Sequence, residues 1–138
     1  GNVAQTVGAG LLAAWPLAGG VLTGKYRHAT PPDSRGAGER HAERMHRYRA
    51  PWTRPVVDGL CAAAEGLGTT PGALALAWVR DRPAITATLV GARTVHQWRA
   101  ALAGAGVSMP DEIRQALDEV ADEAAGVRHD GDAESGFA

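Results

Sequence analysis

Apolar residues recur along this chain in two textures, short unbroken runs and stripes at helical spacing. Gly10–Trp15 (GLLAAW) is a compact apolar run bounded by glycine and proline. It reads as a buried strand, although its alanines and leucines also suit a helix. The pattern then dissolves. From Arg27 to Pro51 the chain is rich in Arg, His, Pro and Gly, so residues 26–51 are expected to form a long surface loop with one helical turn near Glu39 to Arg47. Helical spacing takes over at Val56, Val57, Leu60, Cys61 and Ala64, one face of a helix that Gly66 and Gly68 end. Thr70 followed by Pro71 is an N-cap with proline in the first helical position. The helix it opens, to Arg80, is apolar almost all round and should be deeply buried. Ile85–Val90 (ITATLV), set off by Pro83, is strand-like. Thr94 to Ala103 reads as a helix with Val95, Trp98 and Leu102 on one face. Pro110 opens the last helix, striped by Ile113, Leu117 and Val120. After Ala125 the chain turns to Gly, Asp and Glu, and residues 126–138 read as a flexible tail.

Strands alternating with helices imply parallel pairing and an α/β class. Only two strands are visible, however. A two-stranded parallel sheet has two unpaired edges, and parallel strands ordinarily have both faces covered. The pattern describes part of a sheet.

Composition changes this picture little. The 138 residues make one domain's worth of chain, and a formal charge of −1 gives no argument for a nucleic-acid or membrane partner. The arginines of the 26–51 loop are offset by Asp33, Glu39 and Glu43. The lone Cys61 excludes an internal disulfide, is expected to be buried, and fits a reducing cytoplasm. No apolar run is long enough for a membrane span, and no basic region precedes the first one as in a secretory signal.

Candidate chemistry concentrates at two strand-to-helix turns. Pro16–Tyr26 (PLAGGVLTGKY) ends a glycine-rich turn in a lysine, a shape suited to approaching phosphate. Gly19-x-x-x-x-Gly24-Lys25 follows the P-loop pattern until Tyr26 replaces the Ser or Thr that ligates magnesium, so an NTPase is not supported. Gly8-Ala9-Gly10 resembles a dinucleotide fingerprint but precedes the apolar run where it should follow one. Val90-Gly91-Ala92-Arg93-Thr94 is the second turn, and Thr94 with Gln97 forms a capping box in which each side chain satisfies a terminal N–H. Capping alone explains Thr94 and Gln97. Arg93 beside a helix N-terminus also suits a phosphate. Both readings stand. The five histidines show no metal spacing, and neither Tyr nor Cys61 has a catalytic partner in the sequence.

Taken together, these segments resemble the C-terminal portion of an aldo-keto reductase of the bacterial and potassium-channel β-subunit-like branch. The resemblance rests on PLAGGVLTGKY, Pro31-Pro32-x-Ser34-Arg35, Thr70-Pro71-Gly72-Ala73-Leu74-Ala75-Leu76-Ala77-Trp78-Val79, Val90-Gly91-Ala92-Arg93-Thr94-x-x-Gln97 and Pro110-x-Glu112 leading to Leu117-Asp118-Glu119-Val120. It implies a partial TIM (β/α)8 barrel: the last two strands, their helices and the C-terminal helix, across residues 1–138. It also implies NADP(H). Trp15, Pro16, Leu17, Ala18 and Gly19 would line the pyrophosphate and nicotinamide ribose, Lys25 and Arg35 would add charge, and Gly91, Arg93 and Gln97 would hold the adenosine end, with Arg93 on the 2′-phosphate. Three departures are visible, one being that Gly1 to Gly8 match nothing distinctive. Trp15 abuts Pro16 where the family places a serine between them, and Ala100 and Ala101 replace polar residues that contact adenine.

The family's catalytic Asp, Tyr, Lys and His come from earlier strands and match nothing here, so no catalytic residue and no metal ligand is assigned. The expectation is a cofactor-binding segment from a truncated or split enzyme, inactive by itself. It would work with a complementary N-terminal half or by self-association. The alternative is a non-catalytic interaction module or an inactive truncated product.

Overall fold

Small residues and a good cap explain why the middle of the chain becomes the core. In the computed structural model, which describes residues 6–134, Thr70 Oγ1 accepts from the Ala73 amide at 3.2 Å and Pro71 opens a helix. Leu11–Ala14 is strand β1, Ala42–Tyr48 helix α1, Arg54–Gly66 helix α2, Pro71–Arg80 helix α3, Ile85–Leu89 strand β2, Val95–Ala103 helix α4 and Asp111–Glu134 helix α5. Every residue of α3 from Ala73 to Trp78 is buried. Its alanines let other segments approach closely: a Cβ on Gly104 would lie 2.9 Å from the Ala73 carbonyl oxygen.

Around α3, Leu60 and Ala64 of α2, Leu74 and Trp78 of α3, Met109, and Leu117 of α5 make one cluster. Leu60 and Leu74 are fully buried, each contributing about 2 kcal/mol of apolar transfer. Polar contacts fix the arrangement. The Trp78 indole donates to Asp118 Oδ1 at 2.6 Å, and Arg82 forks onto the same carboxylate, tying α5 to α3. Arg80 donates to the carbonyls of Gly104, Ala105 and Val107, satisfying the turn that leads into α5.

β1 and β2 pair in parallel, Leu11 opposite Ile85 and Leu12 opposite Ala87, so Thr86 is an extra residue at a bulge. Among the described residues the sheet has these two strands, and both outer edges are unpaired. The expectation of buried strands is corrected here. Leu12 and Leu89 are 62% and 53% exposed, because no described layer covers that face.

Three further expectations change. The stripe Val95, Trp98 and Leu102 exists on α4 but faces solvent, and α4 buries no residue. Within residues 26–51, α1 is a proper helix whose Met45 is 2% exposed, so the segment is seated on the protein. The final helix continues past Ala125 to Glu134, where a tail was expected; residues 135–138 of that tail lie outside the described residues. Cys61 is half-buried and free. Among the described residues no helix is long and apolar enough to cross a membrane.

Candidate functional site

Parallel pairing puts the C-terminal ends of β1 and β2 at the same edge of the sheet, so the two turns noted in the sequence emerge side by side. The first is tightly wound. Trp15 and Ala18 have φ of 58° and 47°, and Gly19 and Gly20 follow at 69° and 97°. A left-handed backbone is strained for the two non-glycine residues. The turn closes through Ala18 N–H to Trp15 O at 2.8 Å and Gly20 N–H to Leu17 O at 2.8 Å. Both glycines sit under other side chains. A Cβ on Gly19 would meet Met45 Sδ at 2.5 Å, and one on Gly20 would meet Lys25 Cε at 2.8 Å.

The 33–36 segment joins the two turns. Tyr26 is the staple: its phenol oxygen accepts from the Gly36 amide at 3.0 Å. Burial opposes ionisation of this phenol, yet hydrogen bonds from Ser34 and the Gly36 amide, with the Lys25 ammonium, hold its pKa below the usual tyrosine value. Arg35 then projects between the turns, its Cζ 5.5 Å from the Trp15 ring centroid and its Nη2 donating to the Gly91 carbonyl at 3.4 Å. In return Arg93 Nη2 donates to the Asp33 carbonyl at 2.6 Å. The two loops thus exchange arginine-to-carbonyl bonds.

At the β2 turn, Thr94 Oγ1 accepts from Gln97 N–H at 3.2 Å as expected of a cap. Gln97 Oε1, expected to reach a helix-terminal N–H, accepts instead from Arg93 N–H at 2.8 Å, one residue upstream of the cap. This orders the backbone on which Arg93 stands.

The structure gathers Trp15, Arg35, Gly91 and Arg93 through direct contacts, with Gln97 behind Arg93 and Lys25 joined through Tyr26. Pro16 is half-buried within the turn. Leu17 packs on the main core and Ala18 on a smaller cluster of Val21, Met45 and Val57, while Gly19 is buried under Met45. Leu17 and Ala18 are half-buried, and Gly19 is covered. Sequence reasoning missed the residues around Trp15. Arg44 Cζ lies 4.4 Å from its ring centroid, and His41 meets it edge-on at 5.4 Å. An aromatic flanked by arginines across a polar loop has no local signature.

The donor chemistry can be tested against a phosphorylated cofactor. Arg27, Arg54, Arg80, Arg82 and Arg114 each pair with an aspartate. Lys25, Arg35 and Arg93 have no carboxylate partner among the described residues, as is also true of Arg40, Arg44, Arg47, Arg49 and Arg99. Three uncompensated cations on adjoining loops, with glycines at both turns, fit the phosphates of a dinucleotide. Among the described residues no group of three or more His, Cys, Asp or Glu could hold a metal.

The family model described as "Aldo/keto reductase family" matches residues 2–122. The chain belongs to the aldo/keto reductase family. Its members are oxidoreductases that generally bind NAD(P)H, and the family implies a TIM barrel. This chain, with two parallel strands among mostly helical segments, accords with part of one. Similar proteins include an aldo-keto reductase of Babesia bovis, 41% identical over 69% of this chain and 34% of the relative. A Bacillus subtilis protein named "Uncharacterized oxidoreductase YrpG" is 33% identical over 85% of this chain and 33% of its own length. A rice protein named "Probable voltage-gated potassium channel subunit beta" is 39% identical over 67% and 29%. The chain thus spans about a third of the length of the curated relatives it matches.

Proposed function

We propose that this chain is the NADP(H)-binding part of an aldo/keto reductase barrel, supplying its last two strands with their helices. The observation behind this reading is that Arg35 and Arg93 cross between the loops that follow the two parallel strands, each bound to a main-chain carbonyl and without a carboxylate partner among the described residues. TIM-barrel sites are built on the loops at that edge. NADP(H) would supply the hydride for carbonyl reduction. The residues here would bind and orient it: Lys25 and Arg35 by charge at the pyrophosphate, Arg93 by a bidentate fork on the 2′-phosphate, Gly91 by permitting close approach, and Gln97 by fixing the Arg93 backbone. Trp15 offers an aromatic face near the nicotinamide end. Pro16, Leu17, Ala18 and Gly19 would contribute the curved main chain beneath.

Proton transfer to the carbonyl oxygen requires an acid. The resemblance puts the family's Asp, Tyr, Lys and His on strands that would come from a complementary barrel segment. The exposed faces Leu12, Leu89 and the α4 stripe of Val95, Trp98 and Leu102 are surfaces that segment would cover. The same reading puts the chain in the reducing cytoplasm, where the free Cys61 thiol stays unpaired.

NADPH fluorescence titration tests the proposal. The wild-type chain should bind NADPH more tightly than NADH, and Arg93→Gln should remove that preference, a loss of roughly 5- to 30-fold for one exposed charge-assisted contact. Equal affinities in the wild type, or an unchanged ratio in Arg93→Gln, refute it. Size-exclusion chromatography in the same buffer separates the partner readings, since a stable dimer points to self-association across the exposed faces.

A further inference from the structure

A second cluster of arginines surrounds a depression that borders the first turn at Val21 and Tyr26. The depression, of about 410 Å³, opens between the start of α2 and the segment after Tyr26, within the size range of small-molecule sites. Its floor includes Val21 and Val57, each 5% exposed, and Arg27, Arg49, Arg54 and Tyr26 stand around it. Arg27 and Arg54 are held from beneath by one carboxylate: Asp58 Oδ1 accepts from Arg27 Nε at 2.8 Å and Oδ2 from Arg54 Nε at 3.0 Å. Both arginines spend Nε on this contact, and their terminal nitrogens have no protein acceptor among the described residues. Arg49 has no carboxylate partner among the described residues. It donates to Thr30 Oγ1 at 2.8 Å and lies with Cζ 5.1 Å from the Tyr26 ring centroid. Three guanidinium groups against one aspartate leave two positive charges uncompensated around an apolar floor.

We propose that this depression binds a small organic oxyanion, a carboxylate or a phosphate ester carrying a short apolar group. Planar forks preset by Asp58 match the paired oxygens of either head group. Ala50, Pro51 and the Tyr26 ring, which line the depression beside the buried valines, give the apolar substituent a contact surface that an inorganic ion cannot use. Val21 and Tyr26 belong to the first turn, but Arg27, Arg49 and Arg54 are none of the residues assigned to the cofactor.

The test uses the 138-residue chain with labelled arginine side chains, followed by NMR. Phenyl phosphate, benzoate and inorganic phosphate are titrated in turn. The organic anions should shift the arginine Nε–H resonances saturably, about tenfold more tightly than inorganic phosphate. The tighter of the two identifies the head group. Arg49→Gln should weaken that binding about tenfold and leave NADPH affinity unchanged. Arg49 is exposed with one side-chain hydrogen bond, so the variant should fold, which circular dichroism checks. The proposal is overturned by shifts that do not saturate, by inorganic phosphate binding as well as the organic anions, by an unaltered curve in Arg49→Gln, or by a response to a polyanion such as heparin alone.

Discussion

Gly19→Ala should destabilise the chain, and its cost should be smaller in a Met45→Ala background than in the wild type. Gly19 combines φ of 69° with burial beneath Met45, whose Sδ would be 2.5 Å from the new methyl. The left-handed backbone costs a non-glycine residue about 1–2 kcal/mol. Forcing a methyl into contact with a side chain that is 2% exposed adds about 1–3 kcal/mol, because Met45 cannot simply swing into solvent. Met45→Ala alone removes a buried side chain and should cost about 2–4 kcal/mol. In the double variant the steric part disappears while the backbone part remains. The two effects should therefore fall short of additivity by about 1–3 kcal/mol, well above the scatter for independent sites. Urea unfolding midpoints of the four proteins, read at constant m value, give the cycle. Strict additivity would mean that α1 does not rest on the turn after β1, and the description of residues 26–51 as a seated segment would fail.

Two more outcomes follow from the contacts described. Tyr26 is held as phenolate more readily in the folded chain, so its extra stability is present above the unfolded tyrosine value and is lost as pH falls through the lower folded value. The stability of wild type over Tyr26→Phe should therefore grow as pH rises towards about 10, and phenolate absorbance should lose its earliest step in the variant; an unchanged titration refutes this. Asp118→Ala leaves the Trp78 indole N–H without its acceptor and frees Arg82, so it should cost about 2–3 kcal/mol in thermal unfolding, with Asp118→Asn losing less. A loss under about 0.5 kcal/mol would show that the α3–α5 tie is only surface pairing.

Which features could be read from the chain beforehand follows from the range of the forces involved. Local chemistry was readable. Thr70-Pro71 caps α3, the Val57-Leu60-Ala64 spacing buries one face of α2, and alternation predicts parallel strands with two free edges. Amphipathicity told which face of α4 is apolar but not whether anything covers it, because that depends on a neighbour rather than on Val95, Trp98 or Leu102 themselves. Met45 was illegible for a related reason. A single methionine among polar residues has no period, and its burial is dictated by the hollow that Gly19 leaves a long way upstream. The site divides in the same way. Gly91, Arg93 and the Thr94 cap are contiguous and were visible. The Tyr26–Gly36 staple and the crossing bonds of Arg35 and Arg93 depend on loop closure, which no local pattern encodes.

The arginines of the two turns are held by main-chain carbonyls and not by carboxylates. Carboxylates are not scarce, since 15 acidic residues face 14 lysines and arginines. Elsewhere Asp58, Asp81, Asp111 and Asp118 are placed beside arginines. At the turns, Asp33 is close enough to engage Arg93, yet it offers its main-chain carbonyl. A neutral carbonyl orders a guanidinium without cancelling its charge, so the positive potential of the loops survives. It is also an exchangeable partner: a phosphate oxygen makes a stronger, charge-assisted bond to the same nitrogen. The strained residues Trp15 and Ala18 lie at this same edge. Strain and uncompensated charge both cost the free chain stability, and a bound dinucleotide phosphate would remove the second of these costs. On the proposed reading, the turns are arranged for a ligand whose charge the protein leaves unmatched.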